Sequence, residues 1–501
     1  MPSKVLYLFH LEGRLPDKMS QSRLNLITDG KMPSKVLYLF HLCVILYFVD
    51  SKLIFKRHGP PPEEPSTTRA DPKWNNIIQK VDHFNPNDLR TWSMRYLSND
   101  EFYVEGGPIF IYLGGEWEIS PGRLTAGQMY EIAKFHQGYM FYTEHRYYGF
   151  SYPTTDFSTP NLKYLSLDQA IADVVYFIKY VKEELSLDGK VVVVGASYSA
   201  SMATWIRLKY PHIVDIAYAS SGPVRAVADF YEYYEVINDN IGLVSGECLT
   251  TISDAISQLE AKLETEDGID EMSDKLQTCK RIQNAEPHRS FLFNFVIAEL
   301  FAGLVQYAQP DSIKNDCDLL ASYSGTALDK LIAYIRAQYD PDCIDDYDTF
   351  IQTYTSIGTT NDMWRPWLYQ TCTEYGYYQT STSDNQPFGH TFGLDFFVNW
   401  CTDLFGANFG AEILETGIKR TNIFYGSQTP EVTKVLSIHG TVDPWHPLGI
   451  LSDLNDQAPS ILITGTSHCA DLNAISEGDL DQLVETKLKA RQIIADWLAD
   501  E

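Results

Sequence analysis

Four valines in succession, Val191–Val194, run into Gly195-Ala196-Ser197-Tyr198-Ser199-Ala200-Ser201 and then into a helical stretch that ends before Pro211. An all-valine strand has no polar face, so it belongs in a parallel sheet covered on both sides. Proline stops the helix because its ring replaces an N–H. The turn between strand and helix has the small-x-Ser-x-small form that holds a serine at a strained tip, hydroxyl exposed above the sheet edge. Gly195 and Ser199 are its small residues, with Ser199 standing where glycine is usual. A rival frame puts Ser199 at the tip between Ser197 and Ser201. Gly195 marks the strand end, which favours Ser197.

A nucleophilic serine needs a base within hydrogen-bond reach and a carboxylate to orient that base. On this type of turn they follow in the order acid, then histidine, each after a late strand. Val435-Leu436-Ser437-Ile438 is a short apolar strand followed by His439-Gly440-Thr441-Val442-Asp443-Pro444-Trp445. Ser460-Ile461-Leu462-Ile463-Thr464 is another, followed by Gly465-Thr466-Ser467-His468. Asp443 and His468 thus lie at equivalent strand ends, 25 residues apart (443 to 468), which leaves room for one helix. His439 and His446 flank Asp443 but precede the last strand, the wrong place for the base. An oxyanion site needs a second loop besides the N–H of Tyr198. Gly114-Gly115-Glu116, after the strand Pro108–Leu113, supplies it, its glycines allowing close approach of backbone amides. Glu116 is awkward beside an oxyanion. It pairs either with a substrate amino group or with a structural arginine such as Arg146.

Several separate motifs carry a family likeness across residues 74–500. They are Gln79-Lys80-Val81-Asp82-His83-Phe84-Asn85, Gly106-Gly107-Pro108 through Glu116, Glu144-His145-Arg146-Tyr147-Tyr148-Gly149-Phe150-Ser151 and Tyr164-Leu165-Ser166-Leu167-Asp168-Gln169-Ala170. With the elbow, Asp443-Pro444-Trp445 and Ser467-His468-Cys469-Ala470-Asp471, they resemble the prolyl-bond serine peptidases. That group includes Pro-Xaa carboxypeptidases, dipeptidyl peptidases II and thymus-specific serine peptidases, and the His468 segment looks most like the last branch. The resemblance implies an α/β-hydrolase, a doubly wound sheet with an inserted helical cap. It implies Ser197, Asp443 and His468 as nucleophile, acid and base of an exopeptidase acting at proline-containing bonds. It also implies the disulfides Cys248–Cys317, Cys279–Cys343 and Cys372–Cys401, with Cys469 free. The family elbow is usually Gly-Gly-Ser-Tyr-Gly-Gly, so Ala196, Ser199 and Ala200 depart from it. A proline pocket would be aromatic, and Trp364, Trp367 and Trp445 are candidates to line it. Two other classes stay open: a carboxylesterase or lipase-like hydrolase, and a catalytically weak hydrolase-fold binding protein. The His-Gly-Gly-Gly motif of many esterases is absent.

A chain of 501 residues suggests a large domain plus an insertion, and 13% aromatics with 44% hydrophobics suit a packed enzyme. The net charge of −27, with no basic run, argues against nucleic acid. The expected partners are peptide substrates, and a homodimer is left open. No cofactor is expected, and scattered cysteines without Cys-x-x-Cys spacing do not form a zinc site. Spacing alone does not choose among cysteine pairings. No Asn-x-Ser/Thr sequon occurs.

Eleven residues, Met1–Leu11, recur at Met32–Leu42. The second copy continues from Lys35 through fourteen mostly apolar residues, Val36–Val49, the form of a secretory signal and too short for a membrane span, which needs about 20. Residues 1–31 therefore read as a duplicated or mis-annotated extension, 32–51 as a signal peptide starting at Met32, and 52–73 as a flexible leader. Secretion or lysosomal residence follows. Residues 74–225 form the first α/β part, with strands expected at Ile109–Leu113, Tyr139–Thr143, Val191–Val194 and Ile216–Ala219. Residues 226–352, where the strand pattern vanishes and Thr251–Leu263 and Phe291–Tyr307 have helical periodicity, form the helical cap. Residues 353–501 form the second α/β part.

Overall fold

In a computed structural model describing residues 61–500, apart from 69, 340 and 360–362, the apolar strands assemble into one eight-stranded sheet. The expected extension, the signal peptide and the start of the leader lie outside the described residues. The strands are β1 (Lys73–Lys80), β2 (Thr91–Asn99), β3 (Ile109–Leu113), β4 (Tyr139–Thr143), β5 (Val191–Ala196), β6 (Ile216–Ser220), β9 (Val435–Gly440) and β10 (Ser460–Ile463). A two-stranded sheet pairs β7 (Val227–Asp229) with β8 (Gly376–Tyr378). The main sheet runs in the order β1-β2-β4-β3-β5-β6-β9-β10. The β1–β2 and β2–β4 pairs are antiparallel and the rest parallel. The chain winds outward from β3 to β4 and then returns to β5 on the other side of β3. That reversal is the switch point at which ligands bind in doubly wound sheets, at the carboxyl ends of the strands.

Strands β3 and β5 are buried at every position, as helices on both faces require. Helix α1 (Gly127–His136) links β3 to β4, α2 (Leu167–Glu184) links β4 to β5, and α3 (Tyr198–Lys209) links β5 to β6. Helix α2 starts at Ser166, whose side chain caps the Gln169 amide, and buries Leu167, Ile171, Val174, Ile178 and Val181 at helical spacing. This is the α/β-hydrolase fold.

Three of the sequence motifs meet in one buried network. Arg146, fully buried, forks onto Asp173 with Nε–Oδ2 at 2.6 Å and Nη2–Oδ1 at 2.8 Å. It also donates to the carbonyls of Val81 and Tyr164. His83 Nε2 reaches Asp173 Oδ1 at 2.7 Å, and Gln169 Nε2 donates to Asp82 at 2.6 Å. Burial raises the Asp173 pKa, but the Arg146 charge outweighs it and holds the carboxyl low. Arg146→Met should therefore destabilise the protein by about 3–5 kcal/mol, since it strands a buried carboxylate. The loss, read by denaturant melts, should be complete at neutral pH. In the parent the Asp173 contribution is present above the unfolded carboxyl pKa and fades as pH falls through the lower folded value. An unchanged midpoint would refute this account.

Four sequence expectations shift. Residues 61–68, read as flexible, are tied to the body: Arg123 Nη2 donates to the Pro61 and Pro62 carbonyls at 2.7 and 3.0 Å, and Thr67 N to Thr125 O at 3.1 Å. A buried guanidinium needs acceptors, and this segment provides them. The α/β pattern does not resume at 353, because helices Leu394–Phe405 and Ala411–Tyr425 precede β9. Between β9 and β10 there is no full helix among the described residues, only the 3-10 turn His446–Leu448. The stretch expected as one helix over Phe291–Tyr307 instead joins His288–Phe291, a π-helix Leu292–Ala298 and Glu299–Gln306. It is apolar and long enough to cross a membrane, yet mostly buried inside the protein.

Candidate active site

Ser197 sits between β5 and α3 with φ 55° and ψ −129°, a conformation few non-glycine residues adopt. Gly195 is needed there, since a Cβ would lie 2.1 Å from Ser199 O. Ser199 is fully buried, and its Oγ donates to Ala196 O and accepts from Ala196 N, both at 2.9 Å. Its hydroxyl is thus committed to bracing the turn, while the strained tip is Ser197. Tyr198 begins α3, so its amide has no acceptor one turn back and faces outward from the helix start.

The Tyr198 side chain is anchored below the turn. Its hydroxyl meets His145 Nε2 at 3.2 Å, Gln370 Nε2 at 3.0 Å and the Tyr375 hydroxyl at 3.3 Å. Burial lowers the His145 pKa to about 4, so this ring is neutral. Gly115 and Glu116 follow β3, the strand paired to β5. A Cβ on Gly115 would meet the Trp117 ring at 2.5 Å, so packing forces glycine. Glu116 lies close enough to Tyr198 and Tyr307 to influence both electrostatically. The suggested partner Arg146 is instead bound to Asp173.

Asp443 and His468 are both buried, with His468 Nδ1 2.9 Å from Asp443 Oδ2. The Trp445 amide donates to Asp443 Oδ1 at 2.9 Å. Burial disfavours the Asp443 carboxylate, but His468 and these donors outweigh it and lower its pKa. Burial likewise disfavours an imidazolium, yet the Asp443 charge, with Cys469 beside it, holds His468 well above the ordinary histidine range. His468 Nε2 is buried, with no hydrogen-bond partner among the described residues. His439 is buried within β9, its pKa lowered by burial to about 4, and His446 Nδ1 is spent on the Asp443 carbonyl at 2.7 Å.

The end of β6 joins the two halves. Ser197 N donates to Ser220 O at 3.0 Å, and Cys469 N donates to Ser221 Oγ at 2.9 Å. Gln306, at the end of the helix Glu299–Gln306, links the loops that carry Asp443 and His468. Its carbonyl accepts the His468 amide at 3.0 Å, and its Oε1 accepts Trp445 Nε1 at 3.0 Å. Neither Ser221 nor Gln306 was singled out from the sequence. The one local signal for the first is the Ser220-Ser221-Gly222 turn after β6.

Trp364, Trp367 and Trp445 line one cavity of about 50 Å³, with Phe295, Tyr377 and Trp400. Trp367 packs on the Tyr198 ring at 5.7 Å between centroids, which places the cavity beside the turn. Disulfides join Cys248–Cys317, Cys279–Cys343 and Cys372–Cys401, and Cys469 is free and buried. His288, Asp346 and Asp348 bring ligand atoms within 4.8 Å of one another, but Lys280 Nζ already holds Asp346 at 3.0 Å.

Residues 79–490 match the family described as Serine carboxypeptidase S28. The chain belongs to this family of serine peptidases. Among similar proteins, the thymus-specific serine protease of Mus musculus is 32% identical over 456 residues, 86% of this chain and 88% of that one. The thymus-specific serine protease of Homo sapiens is 31% identical over 454 residues, 86% and 87%. The lysosomal Pro-X carboxypeptidase of Homo sapiens is 25% identical over 474 residues, 88% and 91%. The S28 chain described here is thus a serine-type peptidase with peptide substrates.

Proposed function

We propose that this S28 peptidase is a secreted or lysosomal exopeptidase that cleaves peptides at proline-containing bonds through Ser197, His468 and Asp443. The observations that support the reading are the strained Ser197 tip after β5 and the buried pair of Asp443, after β9, and His468, after β10, all at the carboxyl ends of parallel strands of one sheet. Ser197 Oγ attacks the peptide carbonyl as His468 Nε2 takes its proton. Asp443 holds the imidazole in the tautomer that leaves Nε2 free. The oxyanion is received by the Tyr198 amide and by the Gly115-Glu116 loop. His468 then protonates the leaving amine, and water hydrolyses the acyl-enzyme by the reverse proton route. The aromatic cavity of Trp364, Trp367 and Trp445 receives the proline ring, and Glu116 receives a substrate amino group. Three disulfides and the names of the lysosomal relatives support an oxidising, secretory route, with the segment from Met32 as signal.

Purified protein assayed on Xaa-Pro peptides, their proline-to-alanine counterparts and short-chain esters tests this reading. Proline peptides should be preferred, and Trp364→Ala should erode the proline-over-alanine ratio of kcat/KM by about 10-fold or more, with ester turnover kept. N-acetylated peptides should be poor substrates. Ester cleavage without peptide cleavage would instead support an esterase, and equal rates on proline and alanine peptides would remove the pocket assignment.

A further inference from the structure

Ser221 follows β6 and is almost completely buried, at 1% exposure. Its φ is +56°, a left-handed backbone that costs a non-glycine residue of order 1 kcal/mol or more. Glycine would avoid that cost, so a serine here points to work for the side chain. The Ser221 amide donates to the carbonyl of Ile438 on β9, the strand that leads to Asp443, at 2.7 Å. Its Oγ accepts the amide of Cys469, the residue after His468, at 2.9 Å. A hydroxyl that accepts there still has its own proton to donate. The acceptor alongside is the Asp443 carboxylate, whose pKa this hydroxyl helps to lower.

We infer that Ser221 is a positioning residue, its hydroxyl clamping the Asp443 carboxylate to the backbone of the His468 loop. The inference rests on the proposed Ser197–His468–Asp443 triad. A fully buried carboxylate needs donors to offset its desolvation. The Trp445 amide supplies one at Oδ1, His468 faces Oδ2, and the Ser221 hydroxyl, just past the end of the neighbouring β6, is a further group that lowers its pKa. The same oxygen fixes the loop that carries the base. Acid and base are therefore held to one atom just past the end of β6 rather than each to its own loop. Other titratable groups near the pair are His439, His446, Cys469, Tyr233 and Tyr307.

Loss of the hydroxyl removes a donor that drains negative charge from Asp443. The carboxylate then attracts the imidazolium more strongly, and His468 keeps its proton to higher pH. The neutral base needed for catalysis appears later on the alkaline side. The test is Ser221→Gly and Ser221→Ala in the full chain, with the rate of Ser197 phosphonylation by a fluorophosphonate probe measured against pH. This readout requires no particular peptide. Both variants should react roughly 10- to 100-fold more slowly, the range expected from a misplacement of about 1 Å in a catalytic group. Their acid limbs should move to higher pH. Ser221→Gly suits the left-handed backbone, so its melting temperature should equal or exceed that of Ser221→Ala. Rates within twofold of the parent, or slower rates with an unmoved acid limb, would overturn the inference. If Ser197→Ala is unlabelled while the Ser221 variants behave as the parent, only the Ser221 role fails. Undiminished labelling of Ser197→Ala would bring down the triad, and the clamp with it.

Discussion

Ser197→Ala is expected to lower peptide turnover by about 10⁶-fold while leaving the fold intact, because members of a catalytic triad act as a unit. The side chain lost is small and lies at the tip of the turn, so the backbone contacts that shape the elbow remain. These are Ser197 N to Ser220 O and the Ala200 and Ser201 amides to Ser197 O. Ser199→Ala is the informative companion. It removes two 2.9 Å hydrogen bonds to Ala196 and should cost about 1–2 kcal/mol of stability with turnover reduced far less. Active-site titration with a fluorophosphonate, alongside melting curves, separates the two. Activity that survives in Ser197→Ala and vanishes in Ser199→Ala would transfer the nucleophile to the other frame.

Asp443→Asn should lower kcat about 10⁴-fold. An amide in place of the carboxylate presents an N–H where His468 Nδ1 needs an acceptor, so the imidazole turns to the tautomer that cannot take the Ser197 proton. The residual activity carries a second signature. Asp443 is the charge that holds the His468 pKa well above its ordinary range. Once that charge is removed, burial, the largest influence on the imidazole, dominates and lowers its pKa. The acid limb of kcat/KM should then move to lower pH, opposite to the shift expected for Ser221 variants. A pH profile of the variant with its acid limb unmoved would separate Asp443 from the base.

Much of the hydrolase sheet was legible because its strands are short and apolar, bounded by glycine or polar turns. Ile109–Leu113, Tyr139–Thr143 and Val191–Ala196 fall within two residues of their expected ends. The three residues proposed for catalysis were also readable, since each stands on a loop directly after such a strand. Periodicity failed where tertiary contacts decide. Thr251–Leu263 read as helical and lies within the helix Gly246–Leu263, but the equally apolar stretch before Gln306 takes a π-helical turn that no spacing rule marks. The 25 residues from Asp443 to His468 had the length for a helix before the last strand, and hold only the 3-10 turn His446–Leu448 and irregular chain ahead of β10. Arg146 looked like a partner for Glu116, and only the packing of α2 against the loop after β4 shows that Asp173 claims it.

The sequence by itself determined the strand-turn-helix that strains Ser197, the order of Asp443 and His468 after it, and the aromatic residues available for a pocket. These follow from local sterics and from burial along a single segment, which neighbouring residues encode. Only the tertiary structure decided what holds the catalytic loops together. Ser221, Gln306 and Tyr198 make their contacts with residues far away in the chain: Cys469, Trp445 and Gln370. A buried polar atom takes whichever partner the packing brings within about 3 Å. That choice is written in the arrangement of the whole sheet and its helical insertion, not in the neighbours of any one residue.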